Sequence, residues 1–196
     1  MLRGDIEALA ESLLDSLHLD RVTCARTTAE LCGFTVAEVD TKSCVLGDVI
    51  CVQRSRPERQ NFAVLHELAH AVLRHEGVED HEHYANLLAS ALLLPRRDFK
   101  RSLRNLGWDF RALKSEYPAA SFEAIGRRIC AVSDATLWAR DVSQGLVYEW
   151  QAGRRRKRPP EVTEALDWLC TTSEPWHSPS AVRVEVEGWI RAIAIH

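Results

Sequence analysis

His66-Glu67-Leu68-Ala69-His70 is the stretch that most narrows what this chain can become. It lies in a run whose apolar residues, Phe62, Leu65, Ala69, Val72 and Leu73, recur at three- and four-residue steps, which predicts a helix with one face on a core. Ser55-Arg-Pro-Glu58 supplies the start signal: a capping serine, an early proline and a glutamate three residues on. Gly77 supplies the stop. Residues four apart on a helix share a face about 5–6 Å from each other, so His66 and His70 can grip one ion. Zinc accepts neutral imidazole nitrogen, prefers four ligands and, as a catalyst, keeps one position for water. Glu67 stands about 100° round the helix from His66. It can therefore sit beside that water and take its proton during attack on a peptide carbonyl. In a chain with eight histidines the motif arises by chance only about 0.03 times. The competing reading, an amphipathic helix with two surface histidines, is set aside on that frequency and on the helical context.

A third protein ligand is required. Glu82 is the favoured residue, because it falls in the first turn of the next helix, where the helix dipole favours a carboxylate. The short connection from Glu76 to Asp80 folds that helix back toward the level of His70. His75, Glu76, Glu79, Asp80, His81 and His83 are rivals by proximity in sequence.

Composition bounds the setting. The 196 residues are 46% hydrophobic and 27% charged, a globular balance, with a net charge of -3 that offers no overall basic field for nucleic acid. The longest apolar runs are far too short for a membrane span, and acidic residues stand near the N-terminus where a secretory signal needs apolar ones. A cytoplasmic protein is expected. Six cysteines without a C-x-x-C pair read as reduced thiols, not as a metal site or a disulfide framework.

Along the chain, Ile6 to Leu17 predicts an amphipathic helix, and Val22 to Cys32 a second one stopped by Gly33. Phe34–Val39 and Val45–Val52 read as strands. After the His66 helix comes a buried central helix over His81–Leu94, capped by Asp80 and ended by Pro95. Further helices are expected over Arg97–Leu106, Asp109–Glu116 and Ser121–Val132. A hairpin over Thr136–Arg140 and Leu146–Trp150, a helix near Glu161–Cys170 and strand-like Val182–Ile195 then make a small appendage. We place the boundary at 132/133, with a metallopeptidase domain over 1–132 and a small docking or sensing region over 133–196.

The segment Arg59-Gln-Asn-Phe62-Ala-Val-Leu-His66-Glu-Leu-Ala-His70, followed by Glu82-His-Tyr-Ala85-Asn86-Leu-Leu-Ala89-Ser-Ala-Leu92-Leu-Leu-Pro95, resembles the ImmA/IrrE family of metallopeptidases. The family pattern has a phenylalanine four residues before the motif, then a glutamate with alanine and asparagine or aspartate, then an alanine-rich helix ending Leu-Leu-Met-Pro. Leu94 here replaces the methionine. The resemblance implies one zinc ion on His66, His70 and Glu82, with Glu67 as the general base. It implies an α+β fold, a mainly helical zincin-like core with a short β-sheet, to which a small mixed α/β C-terminal region is added. It further implies an endopeptidase whose substrate is a helix-turn-helix transcriptional repressor, cleaved to relieve repression under stress. The alternatives are a non-proteolytic regulatory module that keeps the zinc scaffold and acts through protein or DNA contacts, and a zinc hydrolase of a non-peptide bond. Manganese is an alternative metal.

Four other features carry two readings each. Ser121–Ile129 could be half of a helix-turn-helix, but is read as a support helix that packs Phe122, Ile125 and Ile129 under the metal helices, so direct nucleic-acid binding is not expected. Arg154–Arg158 is read as a solvated basic loop. Tyr84 and His83 could steady the oxyanion of a tetrahedral intermediate, against core packing and solvent exposure. Five of the six tryptophans fall after residue 133, and one or two of them are expected on a docking or ligand surface.

Overall fold

The computed structural model describes residues 3–78, 82–144, 146–154, 156–186 and 189–196. The architecture is α+β, in the order α1 (Arg3–Ser16), α2 (Ala25–Leu31), β1 (Thr35–Val39), β2 (Cys44–Leu46), β3 (Val49–Gln53), α3 (Pro57–His75), α4 (Glu82–Leu93), α5 (Arg96–Leu106), α6 (Phe110–Glu116) and α7 (Phe122–Val132). There follow β4 (Thr136–Ser143), β5 (Leu146–Gly153), α8 (Pro160–Thr171), β6 (Ala181–Val186) and β7 (Trp189–Ile195). The chain divides into two compact units, 1–99 with 117–121 and 100–116 with 122–196. This division falls away from the expected 132/133 boundary, for a reason given below.

In the first unit, α4 is the central helix, because apolar side chains cover it nearly all round. Ala85, Leu88, Ala89, Ala91, Leu92 and Leu93 are all buried, against α1 on one side and α3 on another. Its expected capping residue, Asp80, lies outside the described residues. α1 contributes Ile6, Ala10 and Leu14, each at most 2% exposed, from one face. α3 contributes Leu65, Leu68 and Leu73, and each full burial of that kind is worth about 1.5–3 kcal/mol. The cap of α3 differs from the expectation. Arg56, extended at φ -62 and ψ 151, is the cap, without a side-chain capping hydrogen bond, while Pro57 begins the helix. Ser55 is one residue too early to serve, since the fixed φ of proline already sets the first turn.

The sheet of this unit has the order β1-β3-β2, with β1 parallel and β2 antiparallel to β3. The run Val45–Val52, read from the sequence as one strand, is in fact a tight hairpin. Leu46 pairs with Val49, and Gly47 between them takes φ +61, which a β-branched residue could not. β2 is left on the edge. Ile50 and Val52 of β3 are buried, and α3 packs on this strand.

The second unit is built on a sheet of order β5-β4-β7-β6, antiparallel throughout. α8 lays Val162, Ala165, Leu166 and Leu169 against Trp138, Ala192 and Ala194, with Trp176 packed at the margin. α7, expected beneath the metal helices, instead packs on β4, β5 and β7 and on α6. Its Gly126 shows why. A Cβ there would stand 2.7 Å from the Leu137 side chain and 3.3 Å from Phe110, so the helix lies directly on the strand. The support role read for Phe122, Ile125 and Ile129 is corrected accordingly: they serve the second unit's core, and this moves the boundary of the compact units ahead of α7.

Candidate metal centre

The helical register of α3 separates two faces. Val64, Leu65, Leu68, Ala69 and Leu73 go to the core, while Arg59, Phe62, Ala63, His66, Glu67, His70 and Arg74 line an open cleft of about 520 Å³. The opposite wall is formed by Lys42, Ser43, Cys44 and Val45, from the approach to β2 and from β2 itself. Asn61 anchors the start of α3. Its Oδ1 accepts the Ala25 amide at 3.3 Å, and its Nδ2 donates to the Ala119 carbonyl at 3.4 Å.

Three donor groups converge at the floor of the cleft. His66 Nε2 and His70 Nε2 are 3.1 Å apart. Glu82, from the first turn of α4, brings Oε2 to 3.2 Å from His66 Nε2 and Oε1 to 3.7 Å from His70 Nε2. Ligands at the corners of a tetrahedron, about 2.0–2.1 Å from a zinc ion, stand about 3.4 Å from each other. The separations lie near that edge, and with one ligand atom from each residue the three donors stay within 4.8 Å of one another, a spacing that fits a single ion. Both imidazoles are largely enclosed, with side chains 16% and 14% exposed, whereas Glu82 is 73% exposed. Phe62 stacks on His66 at 6.2 Å and 25°, and the His66 and His70 rings meet edge to face at 4.6 Å. Asn86 donates from Nδ2 to the Glu82 carbonyl at 2.8 Å, one turn back along α4.

Glu67 faces the same cleft beside this cluster. Burial raises its carboxyl pKa above the ordinary value. The neighbouring His66 and His70 pull the other way, Glu82 adds to the rise and Lys42 opposes it. A carboxylate raised toward neutrality is a stronger base than a free one.

Of the other residues read as possible participants, Tyr84 and His83 do not line the cleft. Their rings face each other at 5.6 Å, with His83 exposed and Tyr84 half-buried. Among the rival third ligands, His75 is 87% exposed and leans on Glu76 at 3.4 Å. Glu79, Asp80 and His81 lie outside the described residues. The cations that do line the cleft, Lys42, Arg59 and Arg74, were not singled out from the sequence. Arg59 and Arg74 could have been, since they stand seven residues before His66 and four after His70, on the same helical face. Lys42 gives no local signal, because only strand pairing brings it there.

Two imidazoles four residues apart and a carboxylate from the following helix form a cluster that could hold a metal ion, with Glu67 in the same cleft. Residues 34–129 match the family model of the M78 peptidases, described as the IrrE N-terminal-like domain. A solved structure of a Mycobacterium tuberculosis transcriptional regulator shares the fold, with a TM-score of 0.64 at 15% identity over 97% of this chain and 75% of that one. No curated protein matches the chain.

Proposed function

We propose that the chain is a zinc-dependent endopeptidase in which His66, His70 and Glu82 hold one ion and Glu67 is the general base. The observation that carries this reading is the convergence of three donor groups within 4.8 Å of one another beside a partly buried glutamate. An ion held there would supply Lewis acidity for activating water and polarising a peptide carbonyl. Glu67 takes the proton from the attacking water and returns it to the departing amine nitrogen. Substrate binding falls to the edge strand β2, whose outer side is unpaired within the sheet and whose Cys44 and Val45 line the cleft. An extended peptide can add there as a further strand, which holds its carbonyl over the donor cluster. Lys42, Arg59 and Arg74 surround this path with positive charge.

Family resemblance supplies the substrate class, a helix-turn-helix transcriptional repressor whose cleavage relieves repression under stress. In this reading 1–132 is the peptidase region in function, while 133–196 docks or senses. The setting is cytoplasmic, and among the described residues no helix is long and apolar enough to cross a membrane. The alternative is a regulatory module without proteolysis, and a transcriptional regulator does share the fold. Incubating the purified chain with candidate repressors, followed by mass analysis, separates the two. The peptidase reading expects zinc-dependent cleavage that Glu67→Gln abolishes while zinc is retained. Undiminished function in Glu67→Gln would sink it.

A further inference from the structure

Cys44 and Cys51 face each other directly across the β2–β3 ladder. Paired residues of an antiparallel ladder project to the same face with Cα atoms about 4.5–5.5 Å apart, inside the window of about 4.4–6.8 Å that a disulfide spans. Both are free thiols, half-buried and within reach of solvent. The position is firm on both sides. Toward the hairpin, Leu46 pairs with Val49, and beyond Cys44 the Gln53 amide donates to Ser43 Oγ at 3.0 Å. Cys44 also lines the cleft wall across from Glu67.

We infer that Cys44 and Cys51 form a reversible dithiol–disulfide site in the wall of the cleft. The oxidant is a small-molecule disulfide. One sulfur, as thiolate, attacks it and expels the first small thiol. The second cysteine then displaces the other small thiol, loses its own proton and closes the Cys44–Cys51 bond. Two protein thiols are oxidised and one disulfide is reduced to two thiols. The site is independent of whether the cleft cuts peptides, and its effect is local: the bond ties the docking edge to β3 and takes a thiol hydrogen out of the wall. Burial, and after it the neighbouring Cys51, raises the Cys44 thiol above its ordinary pKa.

The remaining thiols provide the contrast. Cys130 is pushed up to about 11 by burial, and Cys32 and Cys170 are raised by burial too. Cys24 is exposed and lowered by hydrogen bonds from Thr27. The fully reduced chain is exposed to oxidised glutathione, alkylated and mapped by mass spectrometry. An internal Cys44–Cys51 bond is expected, about 2 Da lighter than the dithiol and reversed by dithiothreitol, while Cys24 carries only a glutathione adduct. In Cys51→Ser, Cys44 should stop at the glutathione adduct, and in Cys44→Ser the same should hold for Cys51. If Cys44 and Cys51 stay open to alkylation under conditions that modify Cys24, or if cross-links scatter among other pairs, the assignment is overturned.

Discussion

Two charged clusters, one in each compact unit, are built in opposite ways. In the first, His66, His70 and Glu82 aim their donor atoms at one another within 4.8 Å. In the second, each carboxylate cluster comes with its guanidinium. Arg191 clamps Asp141 through Nε and Nη2 at 2.6 and 2.7 Å and also reaches Glu123. Arg140 bridges Glu149 and Asp167, and Arg158 grips Glu149 with both terminal nitrogens at 3.0 and 2.9 Å. Trp150 is covered by Arg127 at 4.6 Å and by Arg191 at 5.8 Å. A set of acceptors aimed at one point has to be completed from outside, whereas a set that carries its own counter-charges is already complete. The first pattern marks a place for a ligand and the second marks a brace.

That contrast can be broken most sharply at Glu67. Changing it to Gln should lower peptide hydrolysis about 10³-fold with zinc content unchanged by metal analysis. If both fall together, the residue holds the site instead of serving as its base. His66→Ala should remove bound zinc and, with it, the rise in melting temperature that zinc gives the wild-type chain. A zinc-dependent rise that survives this change would place the ion elsewhere. In the second unit, Gly153→Ala should cost about 2–3 kcal/mol by chemical denaturation, since Gly153 has φ +86 and a Cβ would lie 2.6 Å from the Ala135 carbonyl oxygen. Arg191→Met leaves Asp141 and Glu123 facing each other without their shared partner and should cost about 1–3 kcal/mol, with zinc affinity unmoved. A change in zinc affinity would mean the brace does more than hold its own unit.

The smallest expected effect is a pH dependence. Hydrogen bonds from Arg158 and then Arg140, working against burial, lower the Glu149 carboxyl from 4.5 to about 2. A depressed carboxyl stabilises the fold above its unfolded value and loses that contribution as pH falls through the folded one. Thermal stability should therefore decline between about pH 4.5 and pH 2, less steeply in Glu149→Gln. The effect is modest because the Glu149 side chain is 37% exposed.

How far the sequence could be read depended on the range of the forces at work. α3 and its two histidines were legible because helical periodicity is a matter of neighbours three and four residues away. α4 was legible because apolar residues ring it. The hairpin at Gly47 was missed because the β-branched residues on either side of it read as one continuous strand. Ser55 was misjudged because Pro57 sets the helix start one residue later. The place of α7 was missed for a different reason: whether Ile125 and Ile129 serve one core or another depends on where Leu137 lies, and no local pattern carries that. In the cleft, the face of α3 could be laid out from the sequence, but the opposite wall, Lys42 to Val45, exists only through pairing with β3.

The brevity of β2 has a kinetic corollary. An edge of 3 residues offers about 10 Å of unpaired backbone, enough to seat a few stretched residues and nothing already wound into a helix. A target rich in helices must come undone locally before it can lie there. Under the proposed peptidase reading, turnover would then follow how often the target frays, so that weakening the target should speed its destruction more than any improvement to the blade.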